Sequence, residues 1–329
     1  MKPRLPTRSD VVSAAKRIAD HVAVTPIFQS KALDEIAGAR LIIKAESLQQ
    51  TGSFKLRGAT NRLLQIPKKR RKAGVVAFSS GNHAQGVARA AKRLGMWALI
   101  VMPTDAPAVK KEAVKADGAE VYLYDRNTEN REEIAAEIAR KRGAVLVPSF
   151  DDPMIIAGQG TVGLEFASQV KDLELSMDHL ICCAGGGGLI SGISLGMSGL
   201  SPETKIWTAE PEQHDDWKRS LEAGSIQSNQ PGTHSVCDAI LTPRPGDLTW
   251  AIGSKRLTGG VAVTDAHAFE AMRLAFRQLR VVVEPGGAVA LAAALFRLPP
   301  EAKGKTVGVV LTGGNVDSRL FAKILSRAL

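Results

Sequence analysis

The chain has 329 residues, room for one large domain or two moderate ones, and 44% of them are hydrophobic, which excludes global disorder. A net charge of +10 admits an acidic partner, but the densest basic cluster, Lys68-Lys69-Arg70-Arg71-Lys72, is short and has no interleaved aromatics, so no nucleic-acid partner is expected. The longest apolar runs, 98–102 and 286–296, are too short to span a bilayer, and no apolar signal segment opens the chain.

Ser9 is expected to cap a helix over 10–21 that turns Val11, Val12, Ala15, Ile18 and Ala19 inward. Residues 40–45 read as a strand. A helix start follows at Ser53-Phe54-Lys55, with Ser53 as cap and Leu56, Ala59, Leu63 and Leu64 as its apolar face. Strands over 75–78, 97–102, 119–124 and 144–147 then alternate with helices over 82–94, 108–117 and 131–142. That rhythm predicts a parallel sheet covered by helices. It breaks at 148–153. Beyond lie expected helices over 160–170, 265–279 and 285–298, and strands over 180–183, 205–209, 261–263 and 306–311. The fold class is α/β, with two open, mostly parallel twisted sheets flanked by helices. Residues 73–148 form a small substrate-binding domain, inserted in a large cofactor-binding domain made of 1–72 and 149–329.

Cys182, Cys183 and Cys237 follow no regular spacing, which suggests reduced thiols in a cytoplasmic protein. Lys55 sits at the positive end of a helix dipole, where its ammonium form is disfavoured. Partial burial would lower its pKa further, as a nucleophilic or Schiff-base amine needs; a plain surface lysine is the alternative. Ala184-Gly185-Gly186-Gly187-Gly188-Leu189 follows a strand and opens a helix. It fits neither the dinucleotide fingerprint nor the Walker loop, so it reads as a cradle for a monophosphate, with a tight strand-to-helix turn that holds no ligand as the alternative. Ser79-Ser80-Gly81-Asn82-His83 also starts a helix after a strand, and either holds a carboxylate or merely caps the helix. Thr312-Gly313-Gly314-Asn315 ends a third strand. Glycine-rich strand ends in open α/β sheets share a ligand crevice. A phosphate anchor, a candidate Schiff-base lysine and a carboxylate-binding turn together suggest pyridoxal phosphate and an amino acid.

In order and spacing, Ser53-Phe54-Lys55-Leu56-Arg57-Gly58-Ala59, Ser80-Gly81-Asn82-His83-Ala84-Gln85-Gly86, Ala157-Gly158-Gln159-Gly160-Thr161, Gly185–Gly188, Glu284-Pro285-Gly286-Gly287-Ala288 and Gly313-Gly314-Asn315-Val316-Asp317 resemble the fold-type II pyridoxal-phosphate enzymes with the tryptophan synthase beta-like fold. The similarity is to the branch of threonine/serine dehydratases and serine racemases. It implies that Lys55 is the Schiff-base lysine and takes the substrate α-proton, and that Phe54 packs on the cofactor. It implies that Asn82 meets the ring hydroxyl, that Gly185, Gly186, Gly187, Gly188 and Leu189 hold the phosphate, and that Glu284 and Thr312 also line the cofactor. Thr312 stands where the family usually has Ser, keeping the hydroxyl for the pyridine nitrogen. A neutral partner there favours loss of a β-leaving group over transamination.

The implied activity is an ammonia-lyase (dehydratase) that turns a small β-hydroxy amino acid of the L-threonine or L-serine type into a 2-oxo acid and ammonia by β-elimination. Ser79, Ser80, Asn82 and His83 would hold the substrate carboxylate. Ser80 also keeps open racemisation, which needs a second acid/base opposite Lys55. A specialised dehydratase for 3-hydroxyaspartate or hydroxyectoine breakdown is a variant of the first reading. Arg131 falls where racemase-like members place an arginine near the substrate, or is a solvated helix residue. Glu210, His214 (through its carbonyl) and Asp216 resemble a Mg²⁺ or Ca²⁺ site, with an acidic loop closed by a helix cap as the alternative. The family suggests a homodimer. No effector domain follows the catalytic core in this chain, so feedback by isoleucine is not expected.

Overall fold

The computed structural model describes residues 4–106 and 108–327. Its strands are β1 (Ile27–Phe28), β2 (Arg40–Ala45), β3 (Val75–Phe78), β4 (Ala98–Pro103), β5 (Glu120–Tyr124), β6 (Val145–Leu146), β7 (His179–Cys183), β8 (Lys205–Pro211), β9 (Gly259–Val263) and β10 (Thr306–Leu311). They form a six-stranded sheet in the order β1-β2-β10-β7-β8-β9 and a four-stranded sheet in the order β5-β4-β3-β6. Every pairing is parallel except β1 with β2.

Parallel strands sandwiched between helices need apolar side chains on both faces. Accordingly β7 is buried along its whole length, and β2 and β10 are buried beyond their first residue. Val309 of β10 lies between Ile43 of β2 and Ile181 of β7, which fixes the register at the sheet centre. The helix Pro285–Phe296 covers one face. Its run of Gly, Ala, Val and Leu is buried on every side through Leu295. Parallelism brings the carboxyl ends of β2, β7 and β10 to one edge, where the chain leaves into 46–54, 184–187 and 312–317.

The small sheet draws its strands from 75–146 alone, but its core does not. Leu56, Ala59, Leu63 and Ile66 of the helix Lys55–Leu64 and its following turn, with Ile155, pack with Val75, Ala77 and Ile100. The helix that carries Lys55 therefore lies at the seam between the two sheets.

Several expected boundaries move, each for a local reason. Thr7, not Ser9, begins the first helix, because Asp10 accepts the Thr7 N–H at 2.7 Å. The shift puts Ala14 in the buried stripe with Val11 and Ile18, while Ala19 is exposed. Ser53 does not cap the lysine helix. It is held in a bridge with Gly313, and Phe54 takes the cap position. The helix expected from 160 starts at Pro153, where Asp152 accepts from Met154 N at 2.7 Å and Ile155 N at 3.1 Å. Proline suits that first position because it has no N–H to leave unpaired.

Candidate active site

Four helices begin at one place. The caps of Lys55–Leu64, Asn82–Arg93, Gly188–Met197 and Pro285–Phe296 are Phe54, Gly81, Gly187 and Glu284, and none makes a side-chain capping bond. All four caps line a single cavity of about 540 Å³. Elsewhere Ser30, Asn130, Asp152 and Asp317 cap their helices in the ordinary way. Uncapped first turns leave N–H donors and the positive ends of four dipoles facing the cavity, a setting for anionic groups. Neither Ser80 nor Asn82 caps its helix, so that simpler role of the Ser79–His83 turn is removed.

Lys55 stands at the first position of its helix. Its Nζ donates to Ser149 O at 3.0 Å and lies 5.2 Å from the Phe54 ring centre. Burial lowers its pKa to about 8, with Cys183 and Glu284 pulling the other way. A buried amine with one carbonyl partner, half neutral near pH 8 instead of near 10.5, suits Schiff-base chemistry.

The glycine run is held from behind. Gly185 O accepts from Trp217 Nε1 at 2.7 Å, and Gly186 O accepts from Thr249 Oγ1 at 2.6 Å and Gly246 N at 3.2 Å. The N–H groups of Gly185, Gly186 and Gly187 have no acceptor among the described residues. Gly187 has φ +89°, and a Cβ there would strike the Trp217 indole; one on Gly186 would strike the Phe150 ring. Orphaned donors, packed so closely that only glycine fits, match a phosphate held by backbone amides.

Asn82 donates from Nδ2 to Glu284 Oε1 at 2.5 Å and accepts on Oδ1 from Asn315 Nδ2 at 2.7 Å. Burial raises the Glu284 carboxyl to about 7, against the Asn82 hydrogen bond. Thr312 completes this wall. Its carbonyl accepts from Phe54 N at 3.2 Å, and its Oγ1 lies 3.2 Å from Cys183 Sγ. The residues present thus fit pyridoxal phosphate: an amine, an amide cradle and the Thr312 hydroxyl line one cavity.

His83 is neutral, since burial and then the Lys55 charge lower its pKa to about 3. Its Nε2 lies 3.0 Å from Val147 O, which can only accept, so Nε2 carries the proton and buried Nδ1 is a bare acceptor. The ring has no proton left for a carboxylate; the backbone N–H does. Ser79, Ser80 and Arg131 line the cavity, with the Arg131 guanidinium 5.6 Å from the Phe78 ring centre.

The suggested cation site lies apart from the cavity. Glu210 spends one oxygen on Trp217 N (2.8 Å) and the other on Lys218 N (2.9 Å), capping the helix Asp216–Ala223 from outside. Asp216 accepts from Asn229 Nδ2 at 2.6 Å, while its Oδ2 is buried without a partner. Among the described residues no three His, Cys, Asp or Glu side chains converge as metal ligands.

Sequence reasoning missed the buried ion network that anchors the lysine helix. Arg57 Nη2 lies 2.7 Å from Glu46 Oε1 and 2.9 Å from Glu165 Oε1, and Lys44 Nζ lies 2.5 Å from Glu165 Oε1. Burial opposes the Arg57 charge, but Glu46 and Glu165 outweigh it and raise its pKa. The one local signal was Lys44, a charge among the apolar residues 41–45 of β2. Asp151 was missed as well. It lines the cavity and caps Asp247–Gly253, accepting from Leu248 N at 2.9 Å and Thr249 N at 3.1 Å.

Comparison with known proteins agrees with this geometry. The family described as "Pyridoxal-phosphate dependent enzyme" matches residues 18–313. The chain is 44% identical to the L-threo-3-hydroxyaspartate ammonia-lyase of Pseudomonas sp, over 98% of this chain and 99% of that one. Its structure resembles maize serine racemase with a TM-score of 0.91 and 36% identity, covering 99% and 98% of the two chains. It also resembles a threonine deaminase of T.th., with a TM-score of 0.87 and 43% identity, covering 95% and 99%. The chain belongs to the pyridoxal-phosphate dependent enzymes of fold type II.

Proposed function

We propose that the chain is an ammonia-lyase that converts a small 3-hydroxy amino acid to a 2-oxo acid and ammonia. The observation that carries this reading is the convergence of Lys55, the uncapped amides of Gly185–Gly187 and the Thr312 hydroxyl on one cavity. The 44% identity to a 3-hydroxyaspartate ammonia-lyase favours that substrate over L-threonine or L-serine.

Pyridoxal phosphate, when bound, supplies an electron sink for the pair released at the substrate Cα. The chain's residues do the rest. The Gly185–Gly188 amides and Leu189 N–H hold the phosphate, and Phe54 packs on the ring. The Asn82 amide has one proton committed to Glu284 and the other free for the ring hydroxyl. The Thr312 hydroxyl serves the ring nitrogen. Ser79, Ser80 and the backbone N–H groups of Asn82 and His83 hold the substrate α-carboxylate. Neutral Lys55 takes the Cα proton. The Cβ hydroxyl leaves as water, its proton balanced by the one Lys55 removes from Cα, and the released enamine takes a proton on carbon, adds water and loses ammonia.

A second reading is racemisation with Ser80 as partner of Lys55. Ser80 lines the cavity, and its hydroxyl makes no hydrogen bond among the described residues. Ser80→Ala separates the readings: it stops racemisation and spares elimination from the L-substrate. We further propose a cytoplasmic homodimer, in keeping with three buried, unpaired cysteines, and a Mg²⁺ or Ca²⁺ bound by Glu210, His214 O and Asp216. No described helix is long and apolar enough to cross a membrane.

The deciding experiment records the visible spectrum of the purified protein and its 2-oxo acid release from L-threo-3-hydroxyaspartate, L-serine and L-threonine. A yellow protein active on the first supports the reading. A yellow protein that releases 2-oxo acid from none of them overturns it.

A further inference from the structure

One ion pair crosses the mouth of the cavity. Lys110, on the helix Ala108–Ala116 of the small sheet, places Nζ 2.8 Å from Asp238 Oδ2, in the turn Asp238–Ile240 beside the large sheet. Both residues line the cavity. Both charges reach Glu284 inside it, Asp238 raising its pKa and Lys110 lowering it.

The pair is unequal. The Lys110 side chain is 17% exposed and the Asp238 side chain 59%. A cation withdrawn from water needs an anionic partner, whereas a carboxylate that is mostly in water gives up its partner at little cost. Another carboxylate can therefore replace Asp238 on Lys110. The same wall carries Arg131, whose guanidinium makes no ion pair among the described residues. The α-carboxylate of an amino acid already has its own place in the Ser79–His83 turn, so these cations face whatever the substrate carries beyond Cβ.

We infer that Lys110 is the specificity-determining contact for the distal carboxylate of a dicarboxylic 3-hydroxy amino acid, and that Asp238 is the resting partner it exchanges for that carboxylate. This rests on the ammonia-lyase reading above. A charge-assisted hydrogen bond to the distal group favours the dicarboxylate over L-serine, which has nothing to offer Lys110.

The test uses the holoenzyme, wild type, Lys110→Met and Asp238→Asn. Two quantities are measured: the ratio of kcat/KM for L-threo-3-hydroxyaspartate over L-serine, and the calorimetric Kd for succinate, a dicarboxylate with no amino group to react. Lys110→Met lowers the ratio by about 10- to 100-fold and weakens succinate by a similar factor, the usual worth of a hydrogen bond to a charged group. Asp238→Asn tightens succinate, because the internal competitor is gone. Equal effects of Lys110→Met on both substrates with an unchanged succinate Kd would overturn the inference and leave the pair a tie between the sheets. Weaker succinate binding in Asp238→Asn would overturn the exchange. A wild type that releases no 2-oxo acid sinks the ammonia-lyase reading, and the succinate titration then decides on Lys110 independently.

Discussion

Asn82 and Glu284 are 202 residues apart in sequence and 2.5 Å apart in space. Their contact ties the helix after β3 to the helix before β10, and so joins the two sheets at the cavity floor. Burial holds the Glu284 carboxyl at about 7, against an ordinary 4.5. Between those values the folded state keeps a proton that the unfolded chain has lost. Stability contributed by this group is therefore full below about 4.5 and falls as pH rises through 7, by up to about 3 kcal/mol. Glu284→Gln keeps the shape and removes the titration. Urea unfolding of the cofactor-free protein at pH 5 and pH 8 should show a smaller difference in the variant; an identical difference would sink this account.

Lys55 shows the opposite case. Burial lowers its pKa from 10.5 to about 8, so its cost to the fold is full below pH 8 and relieved as pH rises toward 10.5. Lys55→Met should raise the stability of the cofactor-free protein at pH 7, by about 3 kcal/mol at most, since Ser149 O loses its donor. In the wild type, the rate at which added pyridoxal phosphate restores visible absorbance should climb about tenfold per pH unit and level off near pH 8. A rate that keeps climbing tenfold per unit past pH 9 would contradict the lowered pKa.

Gly187 and Gly95 both have positive φ, +89° and +61°, but only Gly187 has a neighbour that a Cβ would strike. Gly95→Ala should cost about 1 kcal/mol of backbone strain. Gly187→Ala adds collision with Trp217 and should cost about 2–4 kcal/mol, with weakened pyridoxal phosphate binding. Thermal melts and cofactor titrations of the two variants, side by side, check this; equal losses would show that the indole simply moves away.

Arg57 is 1% exposed and Glu46 is fully buried. Arg57→Met strands the Glu46 charge and should cost about 3–5 kcal/mol. Arg57→Lys keeps the charge but cannot reproduce the fork that bonds Glu46 and Glu165 together. Adding Glu46→Gln to Arg57→Met should recover much of the loss, as a double-mutant cycle in urea would read.

Asp216 Oδ2 is a buried acceptor without a donor. Millimolar Mg²⁺ or Ca²⁺ should raise the melting temperature of the wild type, and Asp216→Asn should abolish the rise. No response in the wild type would leave Glu210 as a helix cap alone.

The sequence by itself determined the strands as apolar runs, Lys55 at a helix start, and a glycine run suited to an anion between a strand and a helix. These follow from side-chain period and the absence of Cβ, properties of neighbouring residues. Only the tertiary structure decided which helix starts lack caps and face one cavity, because that depends on the parallel order of β2, β10 and β7. It also decided that Ser53 joins Gly313 instead of capping its own helix. Asn82 with Glu284, Arg57 with Glu46 and Glu165, and Lys110 with Asp238 were equally hidden. Each pair is made by strands and helices meeting across the sheets, and no local pattern records which distant charge a buried side chain will find.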